Sequence, residues 1–428
     1  MTPEFAPKIA LVLSGGGARG AYEAGVLAYL FEDLPKRLGR PTHFDIVTGT
    51  SVGGVHACFV ASAQQDADAG SRLTDIWRSL SLDKVFAVGA TDLVRVPWRL
   101  MGFGSPGRIL PAAGSVPERL PGLFDTAWLE QIVSQRIDWT RLRTNIDSSG
   151  LHALALSATE IATGRSVVFV DTHGGGMPHW ARDPFVIARP ARIGIPHALA
   201  SAAIPLIFPA VRIDRTFYCD GGLRLNTPLS PALRLGADRV LVIGLRYQRT
   251  AEEEDRIAHR SVANFSSPTY LTGKALNALL LDRIEYDVDR MRLFNAILES
   301  GERTYGPDFL TRINEPIVAQ RNAPYRIVRN LFLRPSKDLG ALAAECLRRE
   351  PRSHGVRDWL SRNVVRYAGR GALGEADLLS YLFFDRSYTD HLIDLGRHDA
   401  ALREDDLVEF FSSPPAPRPT VGVGGADG

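Results

Sequence analysis

Phe44-Asp45-Ile46-Val47-Thr48-Gly49-Thr50-Ser51-Val52-Gly53 carries an apolar run into a G-x-S-x-G element, and the residues that follow, Val52 to Ser62, read as a helix. Strand, sharp turn and helix in that order form a nucleophile elbow, in which the glycines let the backbone turn tightly and the serine is held up at a helix N-terminus. Ser51 is therefore the first candidate for chemistry, with Gly49 and Gly53 as its supports. A serine hydroxyl is a poor nucleophile at neutral pH. It needs a base to take its proton and donors to hold the charge that develops on the substrate oxygen.

Leu13-Ser14-Gly15-Gly16-Gly17-Ala18-Arg19-Gly20 follows a strand-like run, Ile9 to Leu13, and opens a helix expected from about Ala18 to Phe31. The free N–H groups of Gly15, Gly16 and Gly17 and the positive helix end are placed to converge on one concave spot. The same pattern after a strand is also a dinucleotide fingerprint, but that needs an acidic residue at the end of the second strand. Glu32 and Asp33 fall on the first helix and Asp45 begins the second strand, so no cofactor is expected. There is no G-K-[ST] for a phosphate loop either.

Asp220-Gly221-Gly222 ends a strand-like run, Phe217-Tyr218-Cys219. It reads either as a hairpin turn or as a carboxylate at the carboxyl end of a strand, where α/β folds collect functional groups. Among the ten histidines, His56 is five residues along the helix from Ser51 and should point away from it, and His197 precedes an apolar helix. An ordinary α/β-hydrolase triad would draw its histidine from His259, His354, His391 or His398, although Ser51 then comes earlier in the chain than that fold places it.

The order GGGARG, GTSVG, then DGG followed by Leu223-Arg224-Leu225-Asn226-Thr227-Pro228 closely resembles the patatin-like phospholipases, and the match continues through SAAIPLIFPAV, Ser201 to Val211. The resemblance covers roughly residues 8–245. It implies a three-layer α/β sandwich around a mostly parallel sheet and a serine–aspartate dyad in place of a triad. Ser51 would be the nucleophile, Asp220 the base, and the Gly15, Gly16 and Gly17 backbone the oxyanion hole. Arg19, Gly20, Gly49, Gly53, Gly221, Gly222, Asn226 and Pro228 complete the motifs. The implied activity is hydrolysis of lipid acyl esters, as a calcium-independent phospholipase A or lysophospholipase with no metal or cofactor. A triacylglycerol lipase or esterase, or an idle lipid-binding module, are the alternatives.

Composition fits a globular enzyme: 428 residues, 45% hydrophobic, and a net charge of +2 from 50 basic and 48 acidic side chains. No basic field points to nucleic acid. Cys58, Cys219 and Cys346 are scattered, without disulfide or metal spacing. No signal-peptide pattern and no run of 18 apolar residues is present, so a cytoplasmic protein with peripheral membrane contact is expected. Oligomeric state is left open.

The expected organisation is a catalytic domain over residues 8–246, a helical C-terminal region over 247–411 and a disordered tail over 412–428. Leu151 to Thr159 and Ser166 to Asp171 read as two strands of a hairpin-like addition, and Arg239 to Leu245 as a further buried strand. Residues 85–123, rich in Gly and Pro with Trp98, Met101 and Phe103, read either as a lid over an acyl site or as an irregular packed loop. Lys274 to Ser300 has apolar residues at helical spacing, including Ile284, Val288, Met291, Phe294 and Leu298, and reads as a core-facing helix. Ala341 to Arg349 and Ala376 to Phe384 suggest two more.

Overall fold

The computed structural model describes residues 7–81, 127–177, 180, 186–205, 207–261, 284–321, 324–349 and 380–413. Its strands are β1 (Ile9–Leu13), β2 (Ile46–Thr50), β3 (Ala153–Glu160), β4 (Ser166–Thr172), β5 (Val186–Pro190), β6 (Val211–Ile213), β7 (Thr216–Asp220), β8 (Arg239–Ile243) and β9 (Arg329–Leu333). The helices are α1 (Gly20–Ala28), α2 (Leu34–Leu38), α3 (Val52–Ala63), α4 (Ala69–Arg78), α5 (Ala127–Arg136), α6 (Trp139–Asp147), α7 (Ile195–Ser201), α8 (Leu229–Arg234), α9 (Ala251–Ser261), α10 (Ile284–Tyr305), α11 (Phe309–Arg321), α12 (Leu339–Arg349), α13 (Arg386–Leu402) and α14 (Glu404–Ser412).

Among the described residues the strands form a single sheet in the order β5-β4-β3-β2-β1-β8-β9, with β7 pairing the far end of β3 and β6 pairing β7. The central strands β3, β2, β1, β8 and β9 are parallel, and β4 and β7 run antiparallel to β3. Such strands are buried on both faces, which explains why IALVL is apolar throughout and RVLVI is apolar after its first residue, Arg239. Alternation then sorts their side chains. Leu11, Leu13, Leu241 and Ile243 enter a core under α1, α3, α4 and α13. Ala10, Val12, Val240 and Val242 face the opposite way, into a second core under α8 and α10. The result is the expected three-layer α/β sandwich, and the hairpin of β3 and β4 forms where the sequence suggested.

Three local expectations shift. The second strand starts and ends later than Phe44–Val47, because Phe44 packs as a loop residue against Phe31 and Phe411. The first helix is segmented: a 3-10 turn at Gly17–Arg19, then α1, a π-turn at Tyr29–Asp33, and α2. Of the amphipathic stretch from Lys274, residues 274–283 lie outside the described residues, and α10 buries Ile284, Val288, Met291 and Leu298 while Phe294 is 39% exposed. Residues 85–123, the lid reading, lie outside the described residues, as do 414–428 of the expected tail and 376–379 of the expected helix, whose Phe383 and Phe384 are not helical.

The C-terminal region is less separate than the sequence suggested. It supplies β9, paired in parallel with β8, and α13, which lies against α1. A Cβ on Gly25 would collide with the Ile393 carbonyl, and one on Gly396 with the Tyr22 carbonyl, so these two helices touch backbone to backbone. Arg239, buried at the start of β8, donates to the carbonyls of Phe410, at 2.6 Å, and Ser413.

Candidate active site

Ser51 sits between β2 and α3 with φ 56° and ψ −128°. An L-residue holds such a backbone only when its surroundings over-determine it. A Cβ on Gly53 would come 2.5 Å from the Leu13 carbonyl, and one on Gly49 would strike the Gly53 carbonyl, so only glycine allows α3 to start this close to the sheet. The Ser51 N–H donates to Ser201 Oγ at 3.0 Å, and Ser201 Oγ donates to the Ser157 carbonyl at 2.7 Å. Ser201, at the end of α7, thus ties the elbow to β3. Sequence reading passed over it, since nothing local separates it from the other small residues of SAAIP.

Asp220 ends β7, where its N–H donates to the Ala203 carbonyl at 2.8 Å. Oδ1 accepts from the Gly222 N–H at 2.7 Å, and Oδ2 accepts from Ser51 Oγ at 2.5 Å. The hairpin-turn reading therefore gives way to the strand-end carboxylate. Both side chains are buried, Ser51 being 6% and Asp220 2% exposed. Burial pushes the Asp220 carboxyl up to about 6, against the pull of its hydrogen bonds from Ser51 and Gly222. A carboxylate in that range titrates close enough to neutrality to take and return a proton.

The rest of the DGG segment is stapled beneath the elbow. Gly221 packs on the Ser157 carbonyl, Thr50 Oγ1 donates to the Leu225 carbonyl at 2.8 Å, and Thr48 Oγ1 donates to the Pro228 carbonyl at 3.0 Å. Asn226 faces the glycine loop. Its carbonyl accepts from the Gly15 N–H at 3.0 Å, and its Nδ2 donates to the Gly15 carbonyl at 3.1 Å. The Gly15 amide is therefore already spent, contrary to its assignment to an oxyanion site. Among the described residues the Gly16 and Gly17 N–H groups make no hydrogen bond, and Gly17, at φ 54°, lines the same cleft as Ser51. Arg19 is buried and donates through Nε to Ser380 Oγ at 2.7 Å, while Gly20 starts α1 beneath Val52 and Trp77.

A water-sized sphere finds about 80 Å³ of room in the cleft, whose walls are almost wholly apolar, with Val55, Phe59, Trp77, Trp128, Ile204 and Phe208 among them. Such walls favour an apolar group beside the Ser51 hydroxyl. His56 also reaches the cleft, but both its ring nitrogens are engaged. Nε2 accepts from Trp77 Nε1 at 2.9 Å, so Nδ1 carries the proton and donates to Glu23 Oε2 at 2.6 Å. His197 accepts from the Gly194 N–H through Nδ1 and stacks edge-on to Phe169. His259, His391 and His398 are exposed and His354 lies outside the described residues. No described histidine bonds Ser51, whose hydroxyl partner is Asp220. Among the described residues no three His, Cys, Asp or Glu side chains converge as a metal would require, and the three cysteines are buried and unpaired.

A three-layer α/β sandwich with a strained serine on a strand-to-helix elbow, a buried carboxylate on its hydroxyl and an apolar cleft alongside defines a class of esterase-like folds. Within it the particular family follows from comparison: residues 11–233, just over half of the chain, match the family described as Patatin-like phospholipase, and the chain belongs to that family. Two curated relatives carry the name cGAMP-activated phospholipase. One, from Pseudomonas aeruginosa, is 30% identical over 225 residues, 51% of this chain and 53% of the relative. The other, from Escherichia coli, is 26% identical over 225 residues, 51% and 52% of the two chains. The chain thus matches about half the length of each. Among solved structures, VipD from Legionella pneumophila matches at 14% identity with a TM-score of 0.33, over 92% of this chain and 67% of that one, a likeness too slight to build on. No described helix is long and apolar enough to cross a membrane.

Proposed function

We propose that this protein is a serine acyl hydrolase of lipid esters, acting as a phospholipase A or lysophospholipase through Ser51 and Asp220. The observation that carries the reading is the 2.5 Å hydrogen bond from Ser51 Oγ to the buried Asp220 carboxylate at the wall of an apolar cleft. Asp220 takes the hydroxyl proton as Ser51 Oγ attacks the ester carbonyl. The oxyanion that forms is held by the Gly16 and Gly17 N–H groups. Collapse breaks the ester bond, the leaving alkoxide takes the proton back from Asp220, and an acyl-serine remains. Water, deprotonated by the same carboxylate, then releases the fatty acid and restores Ser51. The scheme uses no calcium, so a chelator should leave the rate unchanged. Approach to phospholipid requires peripheral contact with a membrane surface. The two relatives are named as cGAMP-activated, and activation of this chain by cGAMP is part of the proposal, which a titration of cGAMP into the lipid assay checks.

The deciding experiment incubates the purified protein with mixed phospholipids, follows released fatty acids and lysolipids, and labels parallel samples with a fluorophosphonate. Ser51→Ala should abolish labelling and lower hydrolysis by about 10³-fold or more, with circular dichroism unchanged. Triacylglycerol cleaved in preference to phospholipid would shift the reading to a lipase, and an unlabelled wild type would leave a non-catalytic lipid-binding module.

A further inference from the structure

The family match ends at residue 233, yet the glycine loop and the acyl cleft are both closed by residues from far beyond it. Ser380 Oγ accepts the hydrogen bond from Arg19 Nε at 2.7 Å, and both side chains are buried. The Arg19 guanidinium lies 3.9 Å from the centre of the Tyr381 ring. The Tyr381 carbonyl presses on Gly17, leaving no room for a Cβ there. Three residues on, Phe384 lines the cleft, stacked on Trp77 at 6.1 Å and 4° and edge-on to Trp128 at 6.0 Å. Asp385 then caps α13, accepting from the Ser387 N–H at 2.9 Å, and α13 is locked to α1 by the close contacts at Gly25 and Gly396. One short segment, anchored at its far end, thus touches both the glycine loop and the wall of the cleft.

We propose that Ser380–Phe384 is a working part of the site: Ser380 and Tyr381 position the glycine loop through Arg19 and Gly17, and Phe384 limits the acyl chain that the cleft accepts. The physical argument is one of leverage. Amides stabilise an oxyanion only when held within a fraction of an ångström of its position. Gly17 sits in a left-handed backbone conformation, and the turn that follows it is held at Arg19 by a hydrogen bond and an aromatic face. Arg19 prefers such a site because its planar guanidinium stacks and donates at once. Phe384 acts differently, as a rigid wall whose removal lengthens or widens the slot beside the nucleophile.

This inference rests on the acyl-hydrolase reading above. The test uses the full-length chain and its Ser380→Ala, Phe384→Leu and Phe384→Ala variants, measuring kcat and KM on a series of esters from octanoyl to hexadecanoyl, and fluorophosphonate labelling of Ser51. Ser380→Ala should lower kcat about tenfold with little change in KM. Phe384→Ala should raise the hexadecanoyl-to-octanoyl ratio of kcat/KM about tenfold, the range over which one or a few methylenes discriminate in an apolar pocket. Phe384→Leu should move that ratio the same way by less, in a protein whose core is nearly intact. Variants that keep the wild-type kcat and chain-length ratio, in an active protein, overturn this inference alone. A wild type that neither hydrolyses nor labels overturns the acyl-hydrolase reading and this inference with it.

Discussion

At the scale of single residues, Asp220 makes the sharpest prediction because its two roles oppose each other. Its carboxyl is raised from 3.8 to about 6 chiefly by burial. As the base it must be ionised, so kcat/KM should fall about tenfold per pH unit once the pH drops below about 6. The sign for stability is the reverse. The folded state holds the proton more tightly than the unfolded state, so ionised Asp220 destabilises the fold, by nothing below about 4 and by up to ~3 kcal/mol above about 6. Asp220→Asn keeps an acceptor for the Gly222 N–H and removes the buried charge. It should therefore lose nearly as much activity as Ser51→Ala while melting at a higher temperature than wild type at pH 8, an advantage that vanishes at pH 4. Calorimetry at the two pH values decides it, and an Asn variant less stable than wild type at pH 8 would refute the argument. The triad alternative makes the contrary forecast, in which alanine at His259, His354, His391 or His398 costs as much as loss of Ser51.

At the scale of elements, the elbow and the glycine loop are each held by groups distant in sequence. Gly17→Ala places a methyl against the Tyr381 carbonyl on a backbone at φ 54°. Its expected signature is a kcat lower by about 10² to 10³ with a smaller change in KM, as for loss of one oxyanion donor, and slower but persistent fluorophosphonate labelling. Gly16→Ala should act in the same direction. An unchanged kcat in both folded variants would put the oxyanion donors elsewhere. Ser201→Ala leaves the Ser51 N–H and the Ser157 carbonyl without their shared buried partner. That should destabilise the protein by about 1–3 kcal/mol and lower kcat, measured by denaturant melts beside kinetics. The elbow itself was legible in FDIVTGTSVG, since a period change between two glycines is a local signal. The fate of the Gly15 amide was not, because its acceptor is the backbone carbonyl of Asn226 and backbone atoms leave no mark in sequence.

At the scale of the whole molecule, the boundary expected near residue 246 cuts through one packed unit. Ending the chain there removes β9 from the edge of β8, strips α13 from α1 and leaves Arg239 buried without the carbonyls of Phe410 and Ser413. A 1–246 fragment should lose cooperative melting and bind a hydrophobic dye, and a fragment that melts like the full chain would show the catalytic part to be independent. The C-terminal contribution was hidden because RNLFL at Arg329–Leu333 is a brief run of five residues that opens on the polar Arg329 and Asn330, and because the contact at Gly25 and Gly396 joins two helices whose glycines look unremarkable in isolation. By itself the sequence determined what short-range chemistry controls: the apolar strands of a sheet buried on both faces, the glycines that permit the elbow, and the order of motifs that marks the family. Only the tertiary structure decided that the Gly15 amide is taken by Asn226, which hydroxyl braces Ser51, that His56 is occupied by Glu23 and Trp77, and that Ser380–Phe384 reaches the glycine loop and the cleft. Each of those depends on backbone atoms or side chains brought together across long stretches of chain, and such contacts are made by packing, not by local pattern.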